Sequence, residues 1–135
     1  MAMSTNPTYP CSVNNGVVAI APADTTTLKT LITAGTNGTR VDSITITSTD
    51  TAAMVVKLWV TYSAVDYCIG SVPVAIAAGT NGSTVGVNGL NTTYIPGINS
   101  NRSLMLKSGE VLKVSVVTTV TADKVIHVRA EGGDY

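Results

Sequence analysis

A chain of 135 residues, 44% of them hydrophobic and only 12% charged, is one domain with enough apolar material for a real core. Its 8 basic and 8 acidic residues cancel, so it has no charge excess with which to bind nucleic acid or an anionic membrane, and neither is expected as a partner. No apolar run approaches the length of a membrane-spanning helix, and a surface this neutral, at a mean hydropathy of +0.32, favours self-association or burial in an assembly.

Residues 1–26 read as an extended N-terminal arm. They carry Pro7, Pro10 and Pro22, small polar residues and one short apolar run, Val17-Val18-Ala19-Ile20, which is too little to build a core alone. The opening MAMSTNPTYPCS has neither the basic nor the apolar region of a signal peptide. Cys11 and Cys68 are far apart, without a CxxC or a nearby His. Two free thiols are therefore expected rather than a disulfide or a zinc site.

Residues 27–135 read as a single β-sandwich domain. Leu28, Leu31 and Ile32 mark a first strand in TLKTLITA. In RVDSITITST, Ile44 and Ile46 alternate with Thr45 and Thr47, the period of a half-buried strand. A polar turn at 48–51 leads to the clearest core element, 54–62, with Met54, Val56, Leu58, Val60 and Tyr62 on one face and Val55, Lys57, Trp59 and Thr61 on the other. Segments 67–70 and 72–76 follow. Pro73 makes this an edge strand or a bulge, because proline cannot donate to a ladder. Residues 83–103 are loop-like, with a short strand candidate at 92–95. After 104–106 the stretch Lys107-Ser108-Gly109-Glu110 turns into a long strand over 111–120, where Leu112, Val114, Val116 and Val120 share a face. A turn near Ala122-Asp123 opens the last strand, with Ile126 and Val128 inward. No helical period is sustained anywhere. About eight strands at spacings of roughly ten residues predict an all-β, jelly-roll-like sandwich of antiparallel strands, with a small barrel as the competing architecture.

The pentapeptide AGTNG occurs twice, at 34–38 and 78–82. Neither copy is followed by the Gly-Lys-Ser/Thr of a phosphate-binding loop, so both read as turns. With Asn15-Gly16 and Asn88-Gly89 they make four Asn-Gly pairs, a sequence suited to the type I′ turns of β-hairpins.

Candidate chemistry is thin. His127 is the one histidine and reads as a surface residue, although a small hydrolase built around it is a rival to be tested. The acids stand singly, without a nucleophile elbow, a paired-carboxylate arrangement or an EF-hand loop. No catalytic residue, cofactor or metal ligand is expected. Trp59, on the polar face of its strand, either stacks on a sugar or anchors an interface, or is covered by the fold. Tyr135, after Gly132-Gly133, is a C-terminal peg or a frayed end. The candidate partner contacts are Tyr9, Val17, Val18, Ile20, Trp59, Tyr94 and Tyr135.

Three stretches, TRVDSITITSTDTAAMVVKLWV (39–60), LMLKSGEVLKVSVV (104–117) and EGGDY (131–135), carry a likeness. The chain resembles the small virion proteins of tailed bacteriophages that decorate or cement the head. The resemblance implies a non-enzymatic β-sandwich, a dimer or trimer on the capsid surface of the virion, made in the host bacterial cytoplasm. It would bind the major capsid protein and hold capsomers together. The alternative is a carbohydrate- or receptor-binding module of a phage tail or fibre, with Trp59 and Tyr94 as stacking platforms. In the cement reading the arm orders by lying across a neighbouring subunit.

Overall fold

The computed structural model describes residues 9–98 and 103–135. Its strands among those residues are β1 (Ser12–Val13), β2 (Gly16–Ile20), β3 (Lys29–Thr33), β4 (Thr39–Ser48), β5 (Met54–Tyr62), β6 (Val65–Val74), β7 (Val87–Asn88), β8 (Leu104–Leu106), β9 (Val111–Val116) and β10 (Ile126–Asp134). In one sheet β10 and β4 pair at the centre. The short strands β1 and β2 lie along the far side of β10, and β7 and β8 along the far side of β4. The other sheet runs β3-β9-β5-β6, and every pairing in both sheets is antiparallel. Among the described residues, only β5 and β6 are consecutive strands that pair with each other; the other strand-to-strand steps from β2 onward either cross between the sheets or join the short edge pieces. With the edge pieces merged, each sheet is four strands wide, and this connectivity is that of a jelly roll.

The core lies between the two inner faces. Ile44, Ile46, Val56, Leu58, Leu112, Val114, Ile126 and Val128 are fully buried, so the parities expected for β4, β5, β9 and β10 hold. Bulges break that alternation where the pairing requires it. In β4, opposite the shift between Glu131 and Gly132, Asp42 has no partner, which lets Val41 and Ile44, three apart, both face inward. In β3 the shift falls at Leu31, and Leu31 and Ile32 are both buried although adjacent. Gly132 has no alternative at its bulge, since a Cβ there would lie 2.3 Å from the Arg40 carbonyl oxygen.

Several expectations change. Within the stretch expected as an arm, Gly16–Ile20 is a strand of the chain's own sheet, paired with β10 from Ile126↔Ile20 to Ala130↔Gly16, and Val18 and Ile20 are core residues. An isolated apolar run of four can complete a sheet that other strands have already built. Residues 1–8 lie outside the described residues. The segment 67–70 and the first three residues of 72–76 lie in one strand, β6, which ends at Val74 and is an edge strand as Pro73 requires. The candidate at 92–95 is a turn. Residues 107–110 carry the chain from one sheet to the other rather than closing a hairpin. β9 ends at Val116, and Val120 reaches the core from the loop beyond it.

None of the four Asn-Gly pairs forms a type I′ turn, because no asparagine among them has positive φ. Gly38 and Gly82 do take positive φ, at 96° and 76°. The first AGTNG is a turn between sheets, closed by the Gly38 N–H donating to the Gly35 carbonyl at 3.0 Å. The two-residue type I′ hairpin belongs to Ser63 and Ala64, with φ of 51° and 62°, between the paired residues Tyr62 and Val65.

Two carboxylates tie the loops to this frame. Asp50 is fully buried and accepts from the Thr121 N–H at 3.0 Å, the Thr121 hydroxyl at 2.7 Å and the Ala52 N–H at 2.9 Å. Asp134 accepts from the Thr39 hydroxyl and from Asn14 Nδ2 at 2.8 Å, joining the N-terminal segment, the first AGTNG turn and the C-terminus.

Candidate interaction surface

The jelly roll leaves one side of the sandwich open. There β6 is the free edge of one sheet and β8 the edge of the other. A groove of about 370 Å³ lies between them, lined by Val60, Tyr62, Tyr67, Ile69, Leu104 and Met105 with Leu106 and Glu110. Tyr67 is 54% exposed and Met105 52%, while Val60, Ile69 and Leu104 pack partly against the core. Parity produces this lining. Val60 and Tyr62 continue the inward face of β5 beyond the residues that the opposite sheet covers, and Tyr67 pairs with Val60. Lys107 Nζ sits 4.0 Å from the centre of the Tyr62 ring and caps one end. A second groove of about 370 Å³ continues past Met105 to Asn37 and Tyr135.

Tyr135 is therefore no frayed end. Its N–H donates to the Gly38 carbonyl at 3.2 Å, its carbonyl accepts from Asn37 Nδ2 at 3.4 Å, and its hydroxyl lies 3.9 Å from Met105 Sδ. Trp59 lies half-buried on the outer face of the β3-β9-β5-β6 sheet. Its Nε1–H donates to Ser115 Oγ at 2.9 Å and Lys57 Nζ stands 5.7 Å from its ring centre. Val17 points outward from β2, and Tyr9 is exposed ahead of β1. Tyr94 is partly buried in the loop beside β6, where its carbonyl oxygen approaches Gly70. The structure thus places Trp59 and Val17 on opposite outer faces and Tyr94 apart from both. Burial of Val18 and Ile20 removes them from any surface of this fold. The groove residues Tyr62, Tyr67 and Met105 were not among the expected contacts. The available signal was the pair of tyrosines flanking the Ser63-Ala64 turn.

His127 is exposed on β10, beside Ala19 and Thr47. Cys11 and Cys68 are free and exposed. Among the described residues no group of three or more His, Cys, Asp or Glu could hold a metal ion, and no helix is long and apolar enough to cross a membrane. The perturbed acids are structural. Burial by itself raises the Asp50 pKa, but the hydrogen bonds from Thr121, Ala52 and Thr51 outweigh it and hold the carboxyl below its usual range. The Thr39 hydroxyl and then Asn14 lower Asp134, and the Ala21 N–H and then Lys29 lower Asp24.

No protein-family model matches the chain, and no curated protein matches it. Among solved structures, a chain of the cyanophage Pam1 capsid asymmetric unit is similar over 99% of this chain and 94% of its own, at 17% identity and a TM-score of 0.48, which is too distant to speak to function.

Proposed function

We propose that this protein is a non-enzymatic structural protein of a tailed-phage virion, a decoration or cement protein that binds the assembled head and stabilises contacts between capsomers. The open apolar groove between β6 and β8 is the observation that carries the reading, together with the resemblance of residues 39–60, 104–117 and 131–135 to head-decorating proteins. Exposed tyrosine and methionine side chains over a half-covered aliphatic floor suit a protein surface better than a small polar substrate. The partner is the major capsid protein, and the protein acts as a homo-oligomer on the capsid surface. A protein that binds the closed shell but not its loose subunits stabilises the shell by mass action, and repetition over the lattice multiplies modest contacts. Cys11 still pairs with Asp134 of the chain's own sheet, so of the expected arm the part ahead of Pro10, with exposed Tyr9, is the part we assign to a neighbouring subunit.

Co-sedimentation with intact heads of the encoding phage, stripped of this protein, tests the reading. The wild-type chain is expected to pellet with heads and not with free capsid subunits. Tyr67→Ser and Met105→Ser are expected to stay folded and to lose the heads. Retained binding in both variants would move the contact elsewhere, and failure of the wild-type chain to pellet would end the cement reading. Trp59 beside Lys57 favours a second reading, a carbohydrate-binding module. Quenching of the Trp59 fluorescence by a host glycan, together with loss of that glycan's calorimetric binding in Trp59→Ala, would support it.

A further inference from the structure

Asn-Gly pairs carry a latent reaction, in which the glycine nitrogen attacks the asparagine amide carbon. The fold treats the four pairs differently. The Gly38 N–H is held by the Gly35 carbonyl at 3.0 Å and the Gly89 N–H by the Ile44 carbonyl at 2.8 Å. Gly16 is locked in β2 opposite Ala130, with Asn15 Oδ1 accepting from the Gly132 N–H at 3.2 Å. Gly82 alone of the four has its N–H in no hydrogen bond among the described residues, and nothing lies within 4 Å of the position its Cβ would take.

The electrophile beside it is also prepared. Asn81 Oδ1 accepts from the Ser83 N–H at 3.0 Å and the Thr84 N–H at 2.7 Å. Two backbone donors aimed at that oxygen stabilise the negative charge that develops when the amide carbon is attacked, which is the work of an oxyanion hole. Nδ2, the leaving nitrogen, donates to Thr84 Oγ1 at 3.2 Å, so a hydroxyl stands next to it.

We propose that Asn81 is a site of self-modification. Gly82 N gives its proton to a solvent base and forms a bond to the Asn81 side-chain carbonyl carbon. The bond from that carbon to Nδ2 breaks, and nitrogen leaves as ammonia with a proton from solvent, giving a cyclic imide. Water then adds to one of the two ring carbonyls and opens the ring to aspartate or isoaspartate. Water is the one co-reactant. The aspartate product suits the loop better than the reactant does, because a carboxylate accepts the Ser83 and Thr84 N–H groups as charge-assisted bonds. Residues 75–86 carry no charged side chain, so the reaction places the first charge in this loop and takes a chain of net charge +0 to a net negative one.

Peptide mapping by mass spectrometry, on folded protein held at mildly alkaline pH, tests the assignment. Asn81 is expected to convert first, by about tenfold over Asn15, Asn37 and Asn88. That margin is smaller than the loss on deleting an oxyanion donor from a dry enzyme site, because this loop is wet. Unfolding in urea is expected to bring the four rates together, and Asn81→Gln to abolish the fast phase of ammonia release. Equal rates in the folded protein, or a slower rate at Asn81 when folded than when unfolded, would overturn the proposal.

Discussion

Replacing Asp50 tests whether one buried carboxylate holds the loops at its end of the sandwich. The carboxylate accepts two hydrogen bonds from Thr121 and one from the Ala52 N–H, with a further contribution from the Thr51 N–H, and has no exposed surface of its own. Hydrogen bonds to a charged group each contribute about 1.5–3 kcal/mol net, and releasing the carboxylate from burial returns part of that. Asp50→Ala should therefore cost about 3–5 kcal/mol, a large share of a domain's stability. Asp50→Asn is the finer probe. Oδ1 can keep both the Ala52 N–H and the Thr121 hydroxyl, but an NH₂ then faces the Thr121 N–H, so the loss should be about 1–3 kcal/mol. The native Asp50 pKa lies below that of an ordinary aspartate, so unfolding takes up protons in acid. Its contribution is whole above the unfolded pKa and fades as pH falls through the lower folded value. Asp24 and Asp134 are shifted the same way, so Asp50→Asn should flatten the acid limb of stability against pH without abolishing it. Urea unfolding from pH 7 down to pH 3 measures both effects. A loss under about 1 kcal/mol for Asp50→Ala, or equal losses for Ala and Asn, would show that these hydrogen bonds do not hold the loops.

Leu58→Ala should cost about 2–5 kcal/mol in chemical denaturation, while Lys57→Ala, one residue away on the outer face, should change stability little. Gly16→Ala should be severely destabilising, because the new Cβ would lie 1.7 Å from the Leu31 carbonyl oxygen; a normal melting curve would mean that β2 does not pack in its own domain. Replacing Ser63-Ala64 by Asn-Gly should raise stability by about 1 kcal/mol, since both positions have positive φ, and an unchanged midpoint would contradict that turn type.

Strand parity was legible wherever a strand was long and regular. Met54, Val56 and Leu58 in β5, and Ile126 and Val128 in β10, face inward as their spacing requires. The bulges were not legible, since nothing in RVDSI marks Asp42 as the unpaired residue; only the close approach of Gly132 to Arg40 shows why the register slips there. Turn chemistry misled in both directions. Asn-Gly marked a turn at 37–38 but not its type, the second copy falls in the bend at 81–84 just past a turn at 76–80, and the hairpin fell on Ser63-Ala64, where positive φ is strained twice. The groove escaped for the same reason. Tyr62 and Tyr67 meet Met105 only when the 63–64 turn and the crossing at 107–110 are both in place, and beyond the two tyrosines flanking that turn such a long-range meeting leaves no local pattern.

The charges bear on how such a surface recognises a partner. Lys29–Asp24, Arg40–Asp42 and Arg129–Glu131 pair residues close in sequence, and Lys113 lies 3.8 Å from Asp66 across the sheet. Each pair cancels locally, which reduces the field that the surface projects. On the cement reading proposed above, attachment through the groove depends on shape and apolar area, with Glu110 the one acid among its lining residues and Lys107 at one end. Raising salt from about 0.1 M to 1 M shortens the screening length from about 10 Å to about 3 Å, enough to remove most attraction between exposed charges. Affinity for the head should change by less than about threefold over that range, because burial of Tyr67 and Met105 is not screened. Titration of fluorescently labelled protein onto purified heads at both salts measures it. A steep fall with salt would mean that cations outside these pairs carry the attachment, and its loss in Lys57→Ala but not in Lys107→Ala would transfer the contact from the groove to the outer face around Trp59.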